Sequence, residues 1–549
     1  MLRIAKALPV RVAHRLNHQA TRLYSSKTDD LFHVSLDDKN PDTKNFFKYS
    51  WGRWLENDEL ERAKRETKFD LKGMVDVIKE KVDYFNSSPQ NAELEVKTIT
   101  PFHEGKHHKI YLVTMSDSRS YVLRIPYALG HKEYREQRMK SEAATMDFLK
   151  KKVNATIPSV ISWSPTKENR LDSEYMILDY VKGDSLMKTW LPGSLDVQAK
   201  SGVIQPLVDF MNHITSTKFS KYGSLYFAQD VSADLQNDLP YEGETDTELV
   251  DRWRIGPTME SRFWKGLSAQ SGSQFRGPWT SYQEYLADTA NVQIAYIKEM
   301  MDSGTGNKEQ LGRALQTFES YRKVIPDLFT SEDGFDPELF SPRLQHPDLN
   351  PLNVIHRTDP AKSYLLDFEG SAIRPFALHG VPSFVKNKGP MIFKQDDIPN
   401  YSELSAEEVK SVDHFIAQTQ NQFSFEYLFK QSGSPLFNAF HPHIRRRQQI
   451  VDTALSVPVN SQGYLDLNYE LIRLSQEWQF LSDRPFPVEY SEEEVNNFMQ
   501  ELDTWNRTLL ENPFLETKGW VPRDTFEELL GRGYIVPEGN GNYKLKNLT

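Results

Sequence analysis

The residues with the clearest chemical meaning lie between His346 and Asp367. They form the arrangement H-x-D-x-x-x-x-N, from His346 through Asp348 to Asn353, and an apolar stretch that ends at Asp367 follows. Phosphoryl transfer requires a carboxylate that orients or deprotonates the attacking hydroxyl, and it requires oxygen ligands for Mg²⁺. Asp348 is placed to supply that carboxylate, while Asn353 and Asp367 offer the hard oxygen atoms that Mg²⁺ prefers.

Two strands are expected to position these groups. A hairpin connection through Thr358-Asp359-Pro360 leads to a predicted strand from Tyr364 to Leu366, which presents Asp367 at the edge of a cleft. Taken alone, each residue has an ordinary interpretation, since an Asp before a turn is usually a cap and an Asn in a Pro-rich loop is usually a turn residue. The coincidence of two acids, an amide and their spacing favours a catalytic and metal-binding segment.

The region upstream is rich in β-forming residues and predicts a small α+β lobe. One long helix is predicted from Glu133 to Lys152 because apolar residues recur there at helical spacing; they are Met139, Ala143, Met146 and Leu149. The predicted strands are 96–100, 109–115, 121–125, 158–161 and 175–180, with turn residues at 116–118.

From about residue 187 the pattern is mainly helical. Ser405 and Ser491 are each followed three residues later by Glu, which predicts two capping boxes. Two apolar stripes at helical spacing are predicted to be core. They are Leu467, Leu471, Leu474 and Trp478, and Val495, Phe498, Leu502 and Trp505.

Composition excludes several classes of protein. The chain has 549 residues, which is more than one ordinary domain, and 38% of them are hydrophobic. A net charge of -11 argues against a general binder of nucleic acids, whose phosphates need a basic surface. The absence of Cys excludes disulfides, thiolate nucleophiles and Cys-based metal sites. No apolar run approaches the roughly 20 residues that span a bilayer, so no transmembrane segment is expected.

The N-terminus has the composition of a mitochondrial transit peptide. Met1 to Thr28 contains six basic residues and no acid, and its apolar residues can form one face of a helix. Arg22-Leu23-Tyr24-Ser25 resembles a processing site with cleavage after Tyr24. A disordered basic tail is the alternative interpretation.

The chain resembles the aminoglycoside phosphotransferase and choline kinase-like superfamily, whose two-lobed fold is related to protein kinases. The superfamily pattern H-G-D-x-x-x-x-N followed by I-D-[FW] matches His346, Asp348, Asn353 and Asp367. The resemblance implies Asp348 as catalytic base, Asn353 and Asp367 as magnesium ligands and His346 as a loop-stabilising residue. It further implies ATP and Mg²⁺ as cofactors, and an antiparallel sheet in a small N-terminal lobe before a larger, mainly helical C-terminal lobe.

The resemblance covers nearly all of residues 95–385 and implies nucleotide contacts. Arg124 stands where kinases place a phosphate-binding Lys, and Glu142 is its expected ion-pair partner. Backbone groups of a hinge are expected to hold adenine. The implied contacts are Gly105 in the phosphate loop, Arg124, Glu142, and Asp179 and Val181 in the hinge.

Further motifs resemble a fungal group within this superfamily, the altered inheritance of mitochondria protein nine family. They are Tyr222–Phe227, Ile255–Thr258, Gly277-Pro278-Trp279 and the targeting sequence. The expected organisation is a transit peptide (1–24), an N-terminal extension (25–92), a kinase-like N-lobe (93–182), a C-lobe with an insertion and the catalytic loop (183–400), and a C-terminal helical extension (401–549).

Two functional hypotheses remain open from the sequence. The first is a mitochondrial kinase for an unknown, small-molecule acceptor. The second is a catalytically inactive kinase fold that binds a protein or lipid-like ligand. The second hypothesis is motivated by a phosphate loop with one Gly and an opposing acid, Glu104, and by Arg124 in place of Lys. Pro347 also replaces the usual Gly beside Asp348.

Three other groups of residues attract attention but have ordinary explanations. His103, His107 and His108 could form a metal cluster, but no acid or His at a matching spacing accompanies them, so a solvated loop is the favoured interpretation. The run Arg445–Arg447 is expected to pair with nearby acids on a helix face. Three Trp residues between the hinge and the catalytic loop either pack the insertion or shape a substrate pocket; they are Trp253, Trp264 and Trp279.

Overall fold

The structure is a computed structural model that describes residues 46–85, 95–190, 197–264, 273–358, 360–387, 392–457 and 462–546. The predicted transit peptide, with its cleavage after Tyr24, lies outside these residues. The chain divides into two compact units. The first, called the sheet unit, holds residues up to Glu136, Pro158–Lys182 and residues from Gln500 onward. The second, called the helical unit, holds Gln137–Ile157 and Gly183–Met499.

Sixteen strands lie in the described parts of the chain. They are β1 (Gly52–Trp54), β2 (Val96–Glu104), β3 (His108–Met115), β4 (Ser120–Pro126), β5 (Val160–Ser164), β6 (Tyr175–Asp179), β7 (Asp184–Ser185), β8 (Ser224–Phe227), β9 (Trp253–Gly256), β10 (Pro342–Gln345), β11 (Val354–Thr358), β12 (Ala361–Leu365), β13 (Ala372–Pro375), β14 (Trp520–Pro522), β15 (Ile535–Gly539) and β16 (Asn542–Leu545).

The α-helices in the same ranges of the chain number thirteen. They are α1 (Asp58–Ala63), α2 (Leu71–Phe85), α3 (Lys132–Lys151), α4 (Leu186–Trp190), α5 (Val197–Ile214), α6 (Thr247–Val250), α7 (Tyr282–Asp302), α8 (Lys308–Leu328), α9 (Ala406–Gln431), α10 (Pro442–Ser456), α11 (Tyr464–Glu477), α12 (Glu492–Glu511) and α13 (Arg523–Gly531).

The sheet unit is built on a five-stranded antiparallel sheet in the order β2-β3-β4-β6-β5. Alternate residues of β3 point into the core, as the two-residue period of a strand requires, and Tyr111, Val113 and Met115 are fully buried. The apolar face of α2, with Met74 and Ile78, packs in the same core. Burial of this face holds α2 on the sheet, because an isolated helix of this length is marginal in water.

The first and last described segments of the chain also meet in the sheet unit. β1 pairs with β14, and Trp54 lies opposite Trp520. The hairpin of β15 and β16 and helix α13 pack around them in a small apolar cluster. Its buried members are Leu55, Phe514, Val521, Phe526 and Ile535.

The helical unit has a core of packed helices and three small sheets. Helices α7 and α8 pack together, α8 contacts α11, and α9 contacts α5. The small sheets have the orders β10-β13, β12-β11-β7 and β8-β9. The turn between β10 and β11 and the turn after β12 carry the predicted catalytic segment, so two of these sheets position it.

The α+β class and the order of a sheet-containing part before a larger, mainly helical part are confirmed. Each predicted strand upstream of residue 187 has a counterpart, although β5 runs from Val160 to Ser164 and not over 158–161, and the predicted helix at 133–152 forms as α3. Both capping boxes form, at Ser405 with Glu408 and at Ser491 with Glu494. The domain boundaries expected from the sequence stay a prediction.

One expected core stripe is mostly wrong. The stripe of α11 is buried at all three of its residues in the helix, and so is Trp478, which begins the short 3-10 helix after α11. In α12, by contrast, only Phe498 is buried, whereas Val495, Leu502 and Trp505 are half-exposed. A helical period therefore predicted the helix correctly but overstated how deeply it is buried, because periodicity alone does not measure how much partner surface a helix has.

The remaining residue groups have the roles expected of them, except for one histidine. The three Trp side chains are buried in packing. His103 and His107 are exposed, whereas His108 is half-buried and does not fit the expected solvated loop. The arginines of α10 pair with acids, as follows: Arg445 with Glu426, Arg446 with Glu470 and Glu477, and Arg447 with Asp333. In the parts of the chain that the structure describes, no helix combines the length and the apolar character needed to cross a membrane.

Candidate active site

His346 fixes the start of the candidate catalytic loop through both ring nitrogens. It follows the last residue of β10, and its side chain is almost fully buried. Nδ1 accepts a hydrogen bond from the backbone N–H of Asp348, at 3.2 Å. Nε2 lies 2.9 Å from the carbonyl oxygen of Leu366. Because Nδ1 is an acceptor, the proton must be on Nε2, which donates to Leu366.

Burial supports the same protonation state. Removal from water disfavours the charged imidazolium and lowers the pKa of His346, against a smaller opposing effect of its bond to the Leu366 carbonyl. The neutral ring therefore acts as a fixed bridge between the two halves of the segment. The predicted loop-stabilising role rests on these two bonds.

Two asparagines hold the backbone of Asp348. The carbonyl oxygen of Asp348 accepts hydrogen bonds from Asn353 Nδ2, at 2.9 Å, and from Asn350 Nδ2, at 3.3 Å. Asn350 is buried and caps a short 3-10 helix (Pro351–Asn353) by accepting from the N–H of Leu352, at 2.7 Å. The backbone of Asp348 is thus fixed on both sides, while its carboxylate is exposed.

Asp367 lies directly beside this loop. The N–H of Leu366 donates to the carbonyl of Asn353, at 2.8 Å, so the two segments are hydrogen-bonded next to Asp367. Asp367 has a φ of 63°, in the left-handed region that Asp tolerates better than most residues. Phe368 is buried against the His346 ring, with centroids 5.1 Å apart. The backbone turn leaves the Asp367 carboxylate exposed while its neighbour anchors the segment.

The donor atoms here fit a magnesium ion. Because Asn353 uses Nδ2 to donate to Asp348, its amide oxygen points away from that bond and is available as a ligand. The exposed carboxylate of Asp367 is the second hard oxygen donor. One amide oxygen and one carboxylate, completed by water and phosphate oxygens, are typical of a Mg²⁺ site in phosphotransferases.

Glu369 ties this turn to helix α3. Its Oε1 lies 2.5 Å from Nη1 of Arg138, and both side chains are about nine-tenths buried. Such an ion pair is costly to break, because a remaining partner would be a buried charge. Arg138 is thereby connected to the turn that carries Asp367, two residues before Glu369.

The predicted phosphate loop forms a tight turn between β2 and β3. The N–H of Gly105 donates to the carbonyl of His108, at 2.9 Å. A Cβ built on Gly105 would meet only that oxygen, at 3.6 Å, so the turn does not itself require Gly. The acid that precedes Gly105 is not directed freely into the turn: the Glu104 side chain forms an ion pair with Lys109, at 2.8 Å.

The other predicted nucleotide contacts lie on the central strands of the sheet unit. Arg124 is on β4 opposite Met176 of β6, and its side chain is buried. Asp179 is the last residue of β6 and faces Tyr121, three positions from Arg124 along β4. Val181 follows β6 in the hinge segment, where the N–H of Tyr180 bonds to the carbonyl of Ser120 at 3.3 Å.

The predicted residues therefore form two groups. His346, Asp348, Asn353 and Asp367 belong to one hydrogen-bonded group in the helical unit. Gly105, Arg124, Asp179 and Val181 belong to the sheet unit, and Glu142 lies on α3 and is almost fully buried. The ion pair of Arg124 with Glu142 and the individual roles of all these residues stay predictions.

Sequence reasoning missed several positioning residues. Asn350 could have been found, because an Asn followed by Pro at the start of a short helix is a frequent capping arrangement. The partners of Glu104 and Glu369 give no such local signal, since Ser50 is 54 residues away from Glu104 and Arg138 lies on a different element from Glu369.

No protein-family model matches the chain. Among solved structures, it is similar to an ethanolamine kinase of Plasmodium vivax, with a TM-score of 0.30 and 12% identity over 72% of this chain and 87% of the other. It is also similar to an aminoglycoside phosphotransferase of Alicyclobacillus acidocaldarius, with a TM-score of 0.27 and 12% identity over 75% of this chain and 90% of the other.

Similarity to curated proteins is much greater. A Yarrowia lipolytica protein named altered inheritance of mitochondria protein 9, mitochondrial, is 41% identical over 97% of this chain and 95% of its own length. The protein of that name from Candida tropicalis is 34% identical over 99% of this chain and 95% of its own length. The mitochondrial localisation predicted from the N-terminus is thereby confirmed. The chain belongs to the altered inheritance of mitochondria protein 9 family.

Proposed function

We propose that the protein is a mitochondrial, ATP- and Mg²⁺-dependent phosphotransferase that acts on a hydroxyl group of a small-molecule acceptor. The observation that carries the proposal is the state of Asp348: its backbone is held by His346, Asn350 and Asn353, and its carboxylate is exposed. A fixed backbone with an exposed carboxylate, whose Oδ2 lies 3.4 Å from Asn353 Nδ2, suits a general base, because the proton acceptor must be positioned before the reaction.

Each group has a defined part in the proposed reaction. Asp348 accepts the proton of the acceptor hydroxyl as the hydroxyl oxygen attacks the terminal phosphorus of ATP. The bond from that phosphorus to the bridging oxygen breaks, and ADP leaves. Arg124 has a planar guanidinium, which donates two parallel hydrogen bonds to phosphate oxygens. Asn353 and Asp367 hold Mg²⁺, which when bound offsets the negative charge of the phosphates. The backbone of the hinge around Asp179 and Val181 binds adenine.

Binding and turnover test different parts of this proposal. Titration of the full chain with Mg-ATP in a calorimeter is expected to show binding that Asp367→Ala weakens at least about tenfold, because a charged ligand of the metal is removed. Asp348→Asn is expected to keep nucleotide binding and to lose turnover by about a hundredfold or more in a metabolite screen for ATP consumption.

The outcomes separate the two hypotheses. A wild-type chain that does not bind Mg-ATP contradicts the proposal outright. Binding without consumption of ATP for any acceptor, equal in wild type and Asp348→Asn, would favour the inactive binding protein instead.

A further inference from the structure

Glu104 is held by residues outside the nucleotide loop. Its Oε2 accepts hydrogen bonds from the N–H of Ser50, at 2.8 Å, and from Ser50 Oγ, at 2.7 Å. Its Oε1 lies 2.8 Å from Lys109 Nζ. The carboxylate therefore has a partner on each oxygen, and its side chain is about nine-tenths buried.

Lys109 is fixed at the same time. It is the second residue of β3, its side chain is 3% exposed, and Nζ also donates to the carbonyl of Lys48, at 2.6 Å. A buried ammonium is stable only when paired and hydrogen-bonded, which Glu104 and Lys48 provide. One short segment, Lys48 to Ser50, thus contacts both members of the ion pair.

This arrangement changes the charge of the nucleotide loop. An unpaired carboxylate next to Gly105 would repel the phosphates of a nucleotide, and repulsion between like charges remains substantial at the low dielectric of a partly buried site. Glu104 and Lys109 together carry no net charge, and the bonds to Ser50 turn the carboxylate toward the N-terminal extension. The negative charge that argued against nucleotide binding in the sequence is therefore balanced by Lys109.

We propose that Ser50 and Lys109 are positioning residues for nucleotide binding: they hold and neutralise Glu104, so that the loop at Gly105 accepts an anionic phosphate chain. This rests on the proposed function, since it requires that the loop binds a nucleotide. It gives the N-terminal extension a direct part in that binding through a contact made by residues 48–50.

The test is the affinity of the full chain for the Mg²⁺ complex of a non-hydrolysable ATP analogue, measured by calorimetry. Lys109→Met leaves the Glu104 carboxylate without its counter-charge and is expected to weaken binding about tenfold. The double variant Glu104→Gln/Lys109→Met removes both charges and is expected to bind within about twofold of wild type. Glu104→Gln alone is expected to bind as tightly as wild type or more tightly.

One control variant loses a Lys elsewhere in the sheet unit, and a second variant covers the case in which Lys109→Met does not fold. Lys64→Met removes the exposed ion pair with Glu61 in the same unit and is expected to leave the affinity unchanged. If Lys109→Met does not fold, as judged by circular dichroism, Ser50→Ala decides: it removes one hydrogen bond to Glu104 and is expected to weaken binding about threefold.

The result that overturns the inference is specific. It fails if wild type binds the analogue and folded Lys109→Met, or Ser50→Ala in its place, binds equally well. It also fails if the double variant is as weak as Lys109→Met, because the ion pair would then act only through stability. A wild-type chain that binds no nucleotide removes the proposed function, and this inference with it.

Discussion

At the scale of single residues, two buried histidines are kept neutral by their surroundings. His346 bridges the two parts of the candidate catalytic segment, and burial lowers its pKa. His379 lies just beyond β13, and burial, assisted by the positive charge of Arg374, lowers its pKa to about 3. In the unfolded chain both side chains regain ordinary pKa values near 6.5. The native state is therefore more stable when these two imidazole rings are neutral than when they are protonated.

The sign of the pH effect follows from proton uptake. Between pH 6.5 and about 3, the unfolded chain binds a proton at residue 379 that the native chain does not bind. The free energy of unfolding is therefore expected to fall as the pH is lowered through this window, by up to about 1.4 kcal/mol per pH unit. His379→Gln is expected to remove this contribution and to flatten the dependence measured by urea denaturation between pH about 7 and about 5.

The control is His213→Gln, because that side chain is exposed and no buried imidazole is lost. An unchanged slope in His379→Gln would contradict the assignment. His346 acts in the same direction, so a reduced rather than a zero slope is the expected result for the variant.

At the scale of elements, the start of the helical unit depends on a close approach of two backbones. Gly183 precedes β7, which pairs with β11 at Ser185 and Ile355. A Cβ built on Gly183 would lie 2.5 Å from the carbonyl oxygen of His356 and 2.8 Å from Ile355 Cγ2. The carbonyl oxygen belongs to the backbone of β11 and cannot yield unless that strand moves, and β11 follows the candidate catalytic loop directly.

Gly183→Ala is therefore expected to lower the free energy of unfolding by about 1–3 kcal/mol, the usual cost of overpacking. The matched control is Gly312→Ala in α8, where a Cβ meets nothing within 4 Å and Ala is the better helix former. It is expected to raise stability by roughly 1 kcal/mol. Urea denaturation measures the free energy of unfolding of both variants. A change of the same sign in the two would contradict the close approach at Gly183.

The same elements show what the sequence could predict. The spacing of His346, Asp348 and Asn353 predicted the loop, and the strand before Asp367 formed where an apolar run ended in an acid. Gly183, in contrast, shows no sign in the sequence of the close approach that it makes. Its packing partner, His356, lies 173 residues later in the sequence. The hydrophobic pattern predicts where a strand forms but not which strand will lie beside it, so this contact has no local signal.

At the scale of the whole chain, the first and last segments described by the structure fold together. Trp520 Nε1 donates to the hydroxyl of Tyr49, at 3.0 Å, and the Tyr49 ring packs against Trp54 and Tyr127. Sequence reasoning treated the two ends as separate extensions, because β1 and β14 are three residues long and too short for a periodic signal. A contact across more than 450 residues of sequence emerges only in the folded protein.

This closure, the contact of the first described segment with the last, connects the C-terminal segment to the extension that carries Ser50. Trp54 and Leu55 contact residues from beyond position 511, while Ser50, a few residues earlier, holds Glu104. Loosening the C-terminal segment is thus expected to loosen the residues that hold Glu104 beside the turn at Gly105. The effect should reach the loop through continuous contacts of the sheet unit.

Gly52→Ala tests the closure in the full chain. A Cβ on Gly52 would lie 2.2 Å from Trp520 Nε1, so the indole must move and its bond to Tyr49 is lost. Amide hydrogen exchange is expected to become faster in residues 48–55 and 514–545 together, while α2, which has its own contacts in the sheet core, keeps its protection. Faster exchange in the C-terminal segment alone would mean that the two ends are independent, because a shared contact has to release both of its partners when it is broken.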